Sequence, residues 1–179
     1  MSGRYLIVVD MQNDFLDGAL GSAEALAILP AVIEKVWEFD GKVLFTYDTH
    51  GEGYLDTQEG RRLPVAHCVE GTRGWRLPDE LEDTRFRTGG KAFTKNTFGA
   101  RGLAEYLGAE DAVSPVESVE LVGLCTDVCV ISNALLIKAF LPEAEIIVDP
   151  SCCAGTSPEA HECALRAMAA CQITIAHAG

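Results

Sequence analysis

Four short apolar runs rich in β-branched residues punctuate the chain: YLIVVD (5–10), KVLFTYD (42–48), VELVGL (119–124) and EIIVDP (145–150). Their apolar character is nearly continuous rather than alternating, the pattern of strands buried on both faces of a parallel sheet. GGKAFTK (89–95) and CQITIAH (171–177) carry the same signal more weakly. Between the runs the apolar period lengthens to that of a helix. Residues 23–39, AEALAILPAVIEKVWEF, place apolar side chains at helical spacing. Pro30, lacking an N–H, is expected to kink or restart that helix. Further helices are predicted near 99–108, 127–140 and 158–170, the last opening with Ser157 as N-cap, Pro158 at the first position and Glu159 in the first turn. Strand and helix alternate, so the expected fold class is α/β, an open three-layer α/β/α (Rossmann-like) arrangement with a mainly parallel sheet of about six strands.

In such a sheet function gathers at the carboxyl ends of the strands. The segment 49–88 interrupts the alternation with Gly, Pro and charge. An excursion that long inside a compact domain is more often functional than idle. With 179 residues and 48% hydrophobic content, the chain is expected to form a single domain, residues 1–179, around one core.

Charge narrows the partners. A formal net charge of −13, with no run of lysines or arginines, argues against nucleic acid. No apolar stretch approaches the roughly 18 to 20 residues needed to span a bilayer. The N-terminal MSGRYLIVVDMQ runs into charge without a cleavage-type segment, so no membrane and a cytoplasmic location are expected. Seven cysteines, an odd number in a chain with a real core, fit reduced thiols better than a disulfide framework. None of their spacings is C-x-x-C, which disfavours a zinc ribbon or a thioredoxin-type pair.

Reading the strand exits gives Asp10, then Asp48 and His50, then Lys95, then Cys125 to Cys129. Acid, base and nucleophile candidates thus converge on one sheet edge. A lysine and a helix N-terminus near a thiol are what cysteine chemistry needs, because only the thiolate attacks. Each residue alone has a plainer reading: buried filler for a cysteine, a turn cap for Asp10, a solvated side chain for Lys95. Asp127, at a helix start, reads as a cap.

The combination is informative. VVDMQNDFLDGALGS, DTH, HCVEGTRGW, FTKNTFGA and GLCTDVCV occur in this order along nearly the whole chain. In this the sequence resembles the isochorismatase-like cysteine hydrolases, and within them the nicotinamidase branch. The resemblance implies an isochorismatase-like hydrolase fold and a catalytic triad of Asp10, Lys95 and Cys129. Asp10 would take the thiol proton and pass it to the leaving ammonia, Lys95 would stabilise the thiolate, and Cys129 would form a thioester from a small-molecule amide. The oxyanion hole would be the backbone N–H groups of Cys125 and Cys129, with the Leu124–Cys125 peptide matching a bond that is cis in these folds. It also implies a divalent metal, zinc with iron or manganese as alternatives, held by Asp48, His50 and His67. The fourth, variable ligand is Glu59 in preference to Asp56 or Glu52. Phe15, Phe98 and Leu124 are the substrate-binding candidates. Leu63 stands where an aromatic residue often precedes the second histidine, with Trp75 either replacing that wall or lying in the core. His161 and His177 read as structural. Family members commonly self-associate, so a homo-oligomer is expected.

The activity implied is hydrolysis of nicotinamide to nicotinate and ammonia. Rivals are a carbamoyl or aliphatic amidohydrolase, an isochorismatase acting on a vinyl ether, a non-catalytic binding protein of the same fold, and a redox protein using Cys125 and Cys129. Vinyl ether hydrolysis needs neither the metal site nor the cysteine, so those residues argue against it.

Overall fold

The computed structural model describes residues 3–176. Its centre is a wholly parallel sheet of six strands in the order β3-β2-β1-β4-β5-β6. The strands are β1 (Arg4–Val9), β2 (Lys42–Asp48), β3 (Lys91–Lys95), β4 (Ser118–Leu124), β5 (Glu145–Ala154) and β6 (Thr174–Ile175). Alternation along β1 shows why its apolar run is continuous. Tyr5, Ile7 and Val9 pack on one face and Leu6 and Val8 on the other, each face covered by helices.

On the first face lie α5 (Arg101–Val113), α6 (Ile131–Phe140) and α7 (Pro158–Ala170). The second is covered by α1 (Asn13–Leu16), α2 (Ala23–Glu38) and α4 (Asp79–Thr88), while α3 (Gln58–Arg62) lies in the excursion between β2 and α4. Chain order along the sheet reverses at β1, which pairs with β2 on one side and β4 on the other. This is the switch point at which a crevice opens beyond the strand ends.

Several expectations hold in detail. Ser157 caps α7 by accepting from Ala160 N, with Pro158 at its start. Others need correction. The helix around Pro30 is continuous from Ala23 to Glu38. Pro30 lies on its exposed face, where water can satisfy the carbonyl left without an N–H partner, while Ala25, Val32, Ile33 and Val36 are buried. The polar composition of α4 hides it from hydrophobic periodicity, since only Leu81 and Thr84 are buried. Its terminal signals are nonetheless good: three acids in the first turn and Gly89 closing it at φ 69°. Strand β5 runs past Pro150 to Ala154 through a register shift opposite Leu121 to Gly123, which carries Cys152 and Cys153 into the sheet. The expected strand at 171–177 is reduced to Thr174–Ile175 among the described residues, and His177 lies outside them. No helix among the described residues is long and apolar enough to cross a membrane.

Candidate active site

Four strand ends supply the polar cluster. Asp10 follows β1 with a left-handed backbone (φ 47°), Asp48 and Lys95 end β2 and β3 as register partners, and Cys129 lies in the π turn Thr126–Val130 between β4 and α6. Lys95 Nζ is 2.7 Å from Asp10 Oδ2, 3.4 Å from Asp48 Oδ1 and 3.5 Å from Cys129 Sγ. All four side chains are buried. Gly123 lets β4 approach: a Cβ there would lie 2.2 Å from the Val9 carbonyl oxygen, and its φ is +115°. The Leu124–Cys125 peptide is cis.

Burial pushes the Asp10 carboxyl up, with Lys95 opposing and Asp48 reinforcing the shift. Burial likewise pushes the Cys129 thiol well above its usual range; the Asp10 charge adds to this and Lys95 opposes it. For Lys95, burial favours the neutral amine, but the surrounding Asp10, Cys129 and Asp48 outweigh it and keep the ammonium charged. The pocket therefore holds a cation and resists a second anion. Moving a proton from Cys129 to Asp10 leaves the net charge beside Lys95 unchanged, so burial does not oppose that transfer.

Polar side chains not anticipated from sequence fasten this cluster. Thr46 Oγ1 donates to Asp10 Oδ1 at 2.6 Å. Gln12 Nε2 donates to the Asp48 and Trp75 carbonyls and Gln12 Oε1 accepts from Asp48 N, all at 2.8 Å. Asn13 Nδ2 donates to the Arg73 carbonyl and Asp14 Oδ2 accepts from Cys68 N, so the polar half of QNDF pins the excursion to the end of β1. Asn133, fully buried, donates to the Cys129 and Phe98 carbonyls and accepts from Ala100 N. These residues carry no chemistry of their own, and polarity within apolar strands and helices was the only signal for them. Asp127 does not cap its own turn but accepts from the backbone N and hydroxyl of Thr156 in the loop after β5, and His161 Nδ1 of α7 pairs with Thr126 Oγ1 of the π turn.

The excursion delivers the second cluster. Donor atoms of Asp48, His50 and His67 lie within 4.8 Å of one another, all three residues buried. His50 Nε2 is 2.9 Å and His67 Nε2 3.5 Å from Asp48 Oδ2. His67 Nδ1 donates to the Val65 carbonyl at 2.8 Å, which leaves Nε2 with its lone pair for a metal. Hydrogen bonds from the two histidines and the charge of Lys95 overcome burial and hold the Asp48 carboxyl far below the usual carboxylate range. Glu59 Oε1 is 3.8 Å from His50 Nε2, while Asp56 and Glu52 are exposed, so of the three acids Glu59 is the one in contact with the cluster. Tyr54 packs against both histidine rings and ties down the loop by donating to the Leu63 carbonyl. Two imidazoles and a carboxylate with one further acid nearby fit a divalent ion.

Both clusters border a cavity of about 330 Å³ lined by Phe15, Leu63, Phe98, Val128, Cys125 and Cys129 among others, with Asp48, Glu59 and His67 at its wall. Phe15 and Phe98 are therefore on the wall as expected. Leu124 is not: it is fully buried in the core cluster it shares with Phe15 and Val122, so its side chain packs in the layer beside the cavity rather than lining it. Leu63 lines the cavity and Trp75 does not; Trp75 packs on Tyr47 and donates to Thr49 Oγ1 instead. All seven cysteines are free thiols, and burial pushes the Cys125 thiol up to about 12.

A wholly parallel α/β sheet with a thiol, an ammonium and a carboxylate at its switch point assembles the residue types that a hydrolytic enzyme uses. The chain belongs to the isochorismatase family, residues 4–178 matching its Isochorismatase domain. It is 27% identical over 200 residues to the nicotinamidase of Schizosaccharomyces pombe, covering 90% of this chain and 87% of that protein. Among solved structures, the pyrazinamidase of Pyrococcus horikoshii in complex with zinc superposes with a TM-score of 0.80 at 28% identity, covering 98% of this chain and 99% of that one. The pyrazinamidase/nicotinamidase of Streptococcus mutans gives a TM-score of 0.83 at 28% identity, over 97% and 99% of the two chains.

Proposed function

We propose that the protein is an amidohydrolase that cleaves the carboxamide of a small aromatic molecule, with nicotinamide the first candidate, giving the carboxylate and ammonia. The observation that carries this reading is Lys95 Nζ standing within 3.5 Å of a nucleophile candidate, Cys129 Sγ, and 2.7 Å of a base candidate, Asp10 Oδ2, at a cavity with aromatic walls. Relatives bearing the names nicotinamidase and pyrazinamidase support the substrate class.

Asp10 takes the Cys129 proton, and the thiolate attacks the amide carbon. The carbonyl oxygen gains negative charge, and the backbone N–H groups of Cys125 and Cys129 would be the donors that receive it. Asp10 returns the proton to the nitrogen, the C–N bond breaks, and ammonia leaves a thioester on Cys129. Water then attacks the thioester carbon while Asp10 accepts its proton, and collapse releases the acid and the thiol. A divalent metal on Asp48, His50, His67 and Glu59, zinc with iron or manganese as alternatives, would supply a Lewis-acid point that holds a ring nitrogen or a water and so orients the carboxamide. Leu63 in the cavity wall favours a second reading, an aliphatic or carbamoyl amide, because it grips a flat ring less firmly than an aromatic side chain would.

The test is ammonia release by metal-supplemented enzyme from nicotinamide and a panel of small amides, set against Cys129→Ala. Release from nicotinamide that the substitution abolishes is the expected result. Cys129-dependent release from another amide alone would move the substrate, and no release from any amide would overturn the reading.

A further inference from the structure

Thr46 is the one hydroxyl in β2 that faces the same way as Asp48, on a strand otherwise filled by Val43, Leu44, Phe45 and Tyr47. It is fully buried, and its register partners are Val9 of β1 and Phe93 of β3. Valine has the same shape and would suit an interior strand position better, since an unpaired buried hydroxyl is costly. The Thr46 hydroxyl donates to Asp10 Oδ1 at 2.6 Å, and Asp10 N donates back to Thr46 Oγ1 at 3.3 Å and to the Thr46 carbonyl at 3.2 Å. Asp10 is thus held from one residue through its backbone and its side chain together, at a left-handed φ of 47°.

That double hold bears on the chemistry. Lys95 lies 2.7 Å from Oδ2, but a single ammonium is one point and leaves the carboxylate free to turn about its own axis. A donor on Oδ1 supplies the second point and fixes the plane. Oδ2 then faces Lys95 and makes no well-directed hydrogen bond, which leaves it a lone pair for an incoming proton. Without the hydroxyl the carboxylate is free to swing both oxygens onto Lys95 and away from the thiol.

We propose that Thr46 is a positioning residue that orients Asp10, so that Oδ2 rather than Oδ1 exchanges the proton with Cys129. This rests on the amidohydrolase reading, but the thiol readout below does not depend on the substrate.

The experiment compares wild type, Thr46→Val and Thr46→Ser, with Thr46→Ala as a second hydroxyl-free variant should valine fail to fold. Three quantities are measured: kcat and KM for nicotinamide or the best amide found, the rate at which iodoacetamide alkylates Cys129 as located by mass spectrometry, and the thermal midpoint. Thr46→Val is expected to keep KM within about threefold, lose on the order of 10- to 100-fold in kcat and slow alkylation of Cys129, because a misplaced base costs rate rather than binding. Thr46→Ser is expected to restore both to within about threefold of wild type. Valine that keeps kcat and alkylation within twofold of wild type would overturn the assignment. So would serine that is as impaired as valine, which would make Thr46 a packing residue. Should wild type hydrolyse no amide, the amidohydrolase reading falls while the alkylation comparison still decides the orientation of Asp10.

Discussion

Two lysines in this fold each sit between two carboxylates, and only one of them belongs to a reaction site. Lys95 lies between Asp10 and Asp48 at the strand ends, with its side chain 2% exposed. Lys35 of α2 bridges Glu120 of β4 and Asp149 of β5 halfway along the sheet, 26% exposed. What separates them is saturation. Asp149 Oδ1 already accepts from Ser151 N and Ser151 Oγ, and its Oδ2 takes Lys35, so both oxygens of that carboxylate are filled. Asp10 Oδ2 has a lysine beside it but no well-directed hydrogen bond, and the third neighbour of Lys95 is a thiol at a cavity wall. A buried ion cluster becomes chemistry when it is left one bond short beside space for a substrate; a completed one is architecture.

The comparison breaks most decisively at Cys129. Cys129→Ala should lower ammonia release by at least roughly 1000-fold with the fold intact, since in the proposed mechanism the sulfur beside Lys95 is the one that forms the acyl intermediate. Retained activity would remove the distinction between the two lysine clusters. Lys95→Met should follow, lowering kcat by on the order of 100-fold, because it takes away the charge that balances a thiolate in a buried site. It should also destabilise the protein, leaving Asp10 and Asp48 without their shared cation; ammonia release reads the first effect and a lowered midpoint in differential scanning calorimetry the second. A smaller effect is expected at the metal cluster. Glu59→Gln should weaken divalent-metal binding by on the order of 10-fold in a competition titration with a chelator, with dialysis against that chelator removing activity from both proteins. Equal affinities would exclude Glu59 as a ligand.

How much of this was legible in the chain follows the same division. Residues with a chemical identity at a strand exit, Asp10, Asp48, His50, Lys95 and Cys129, could be read because an apolar run ending in a polar group marks the carboxyl edge of a sheet. All five converge in space. The parallel sheet was readable because strands buried on both faces have continuous apolar runs. Thr46, Gln12 and Asn133 were not legible, because a single polar residue in an apolar element gains meaning only from what folding places opposite it. Leu124 failed for the converse reason: its place beside the site in sequence does not say whether its side chain reaches the cavity or fills the core next to it. Helix α4 was hidden because capping, rather than an apolar stripe, specifies it.

The smallest effect is expected at Lys35, and it sharpens the comparison from the structural side. Lys35→Met should leave kcat and KM within about twofold, since nothing in that cluster borders the cavity lined by Cys129. It should cost about 1 to 2 kcal/mol of stability at neutral pH, less than a fully buried pair because the lysine is partly exposed. Burial alone would raise the Asp149 carboxyl, but Lys35 and Ser151 outweigh it and hold it below its usual range. A carboxylate depressed in the folded state contributes stability above its unfolded pKa and loses it as the pH falls through the lowered folded value. Lys35 is itself raised: burial opposes the charge, and Asp149 and Glu120 overcome it. The lysine's share is therefore intact at neutral pH and disappears only above the ordinary lysine range. The difference in thermal midpoint between wild type and Lys35→Met should accordingly be full at pH 7 and narrow in acid as Asp149 protonates. A difference that stays constant from neutral pH into acid would show that the ion pair with Asp149 is not its source.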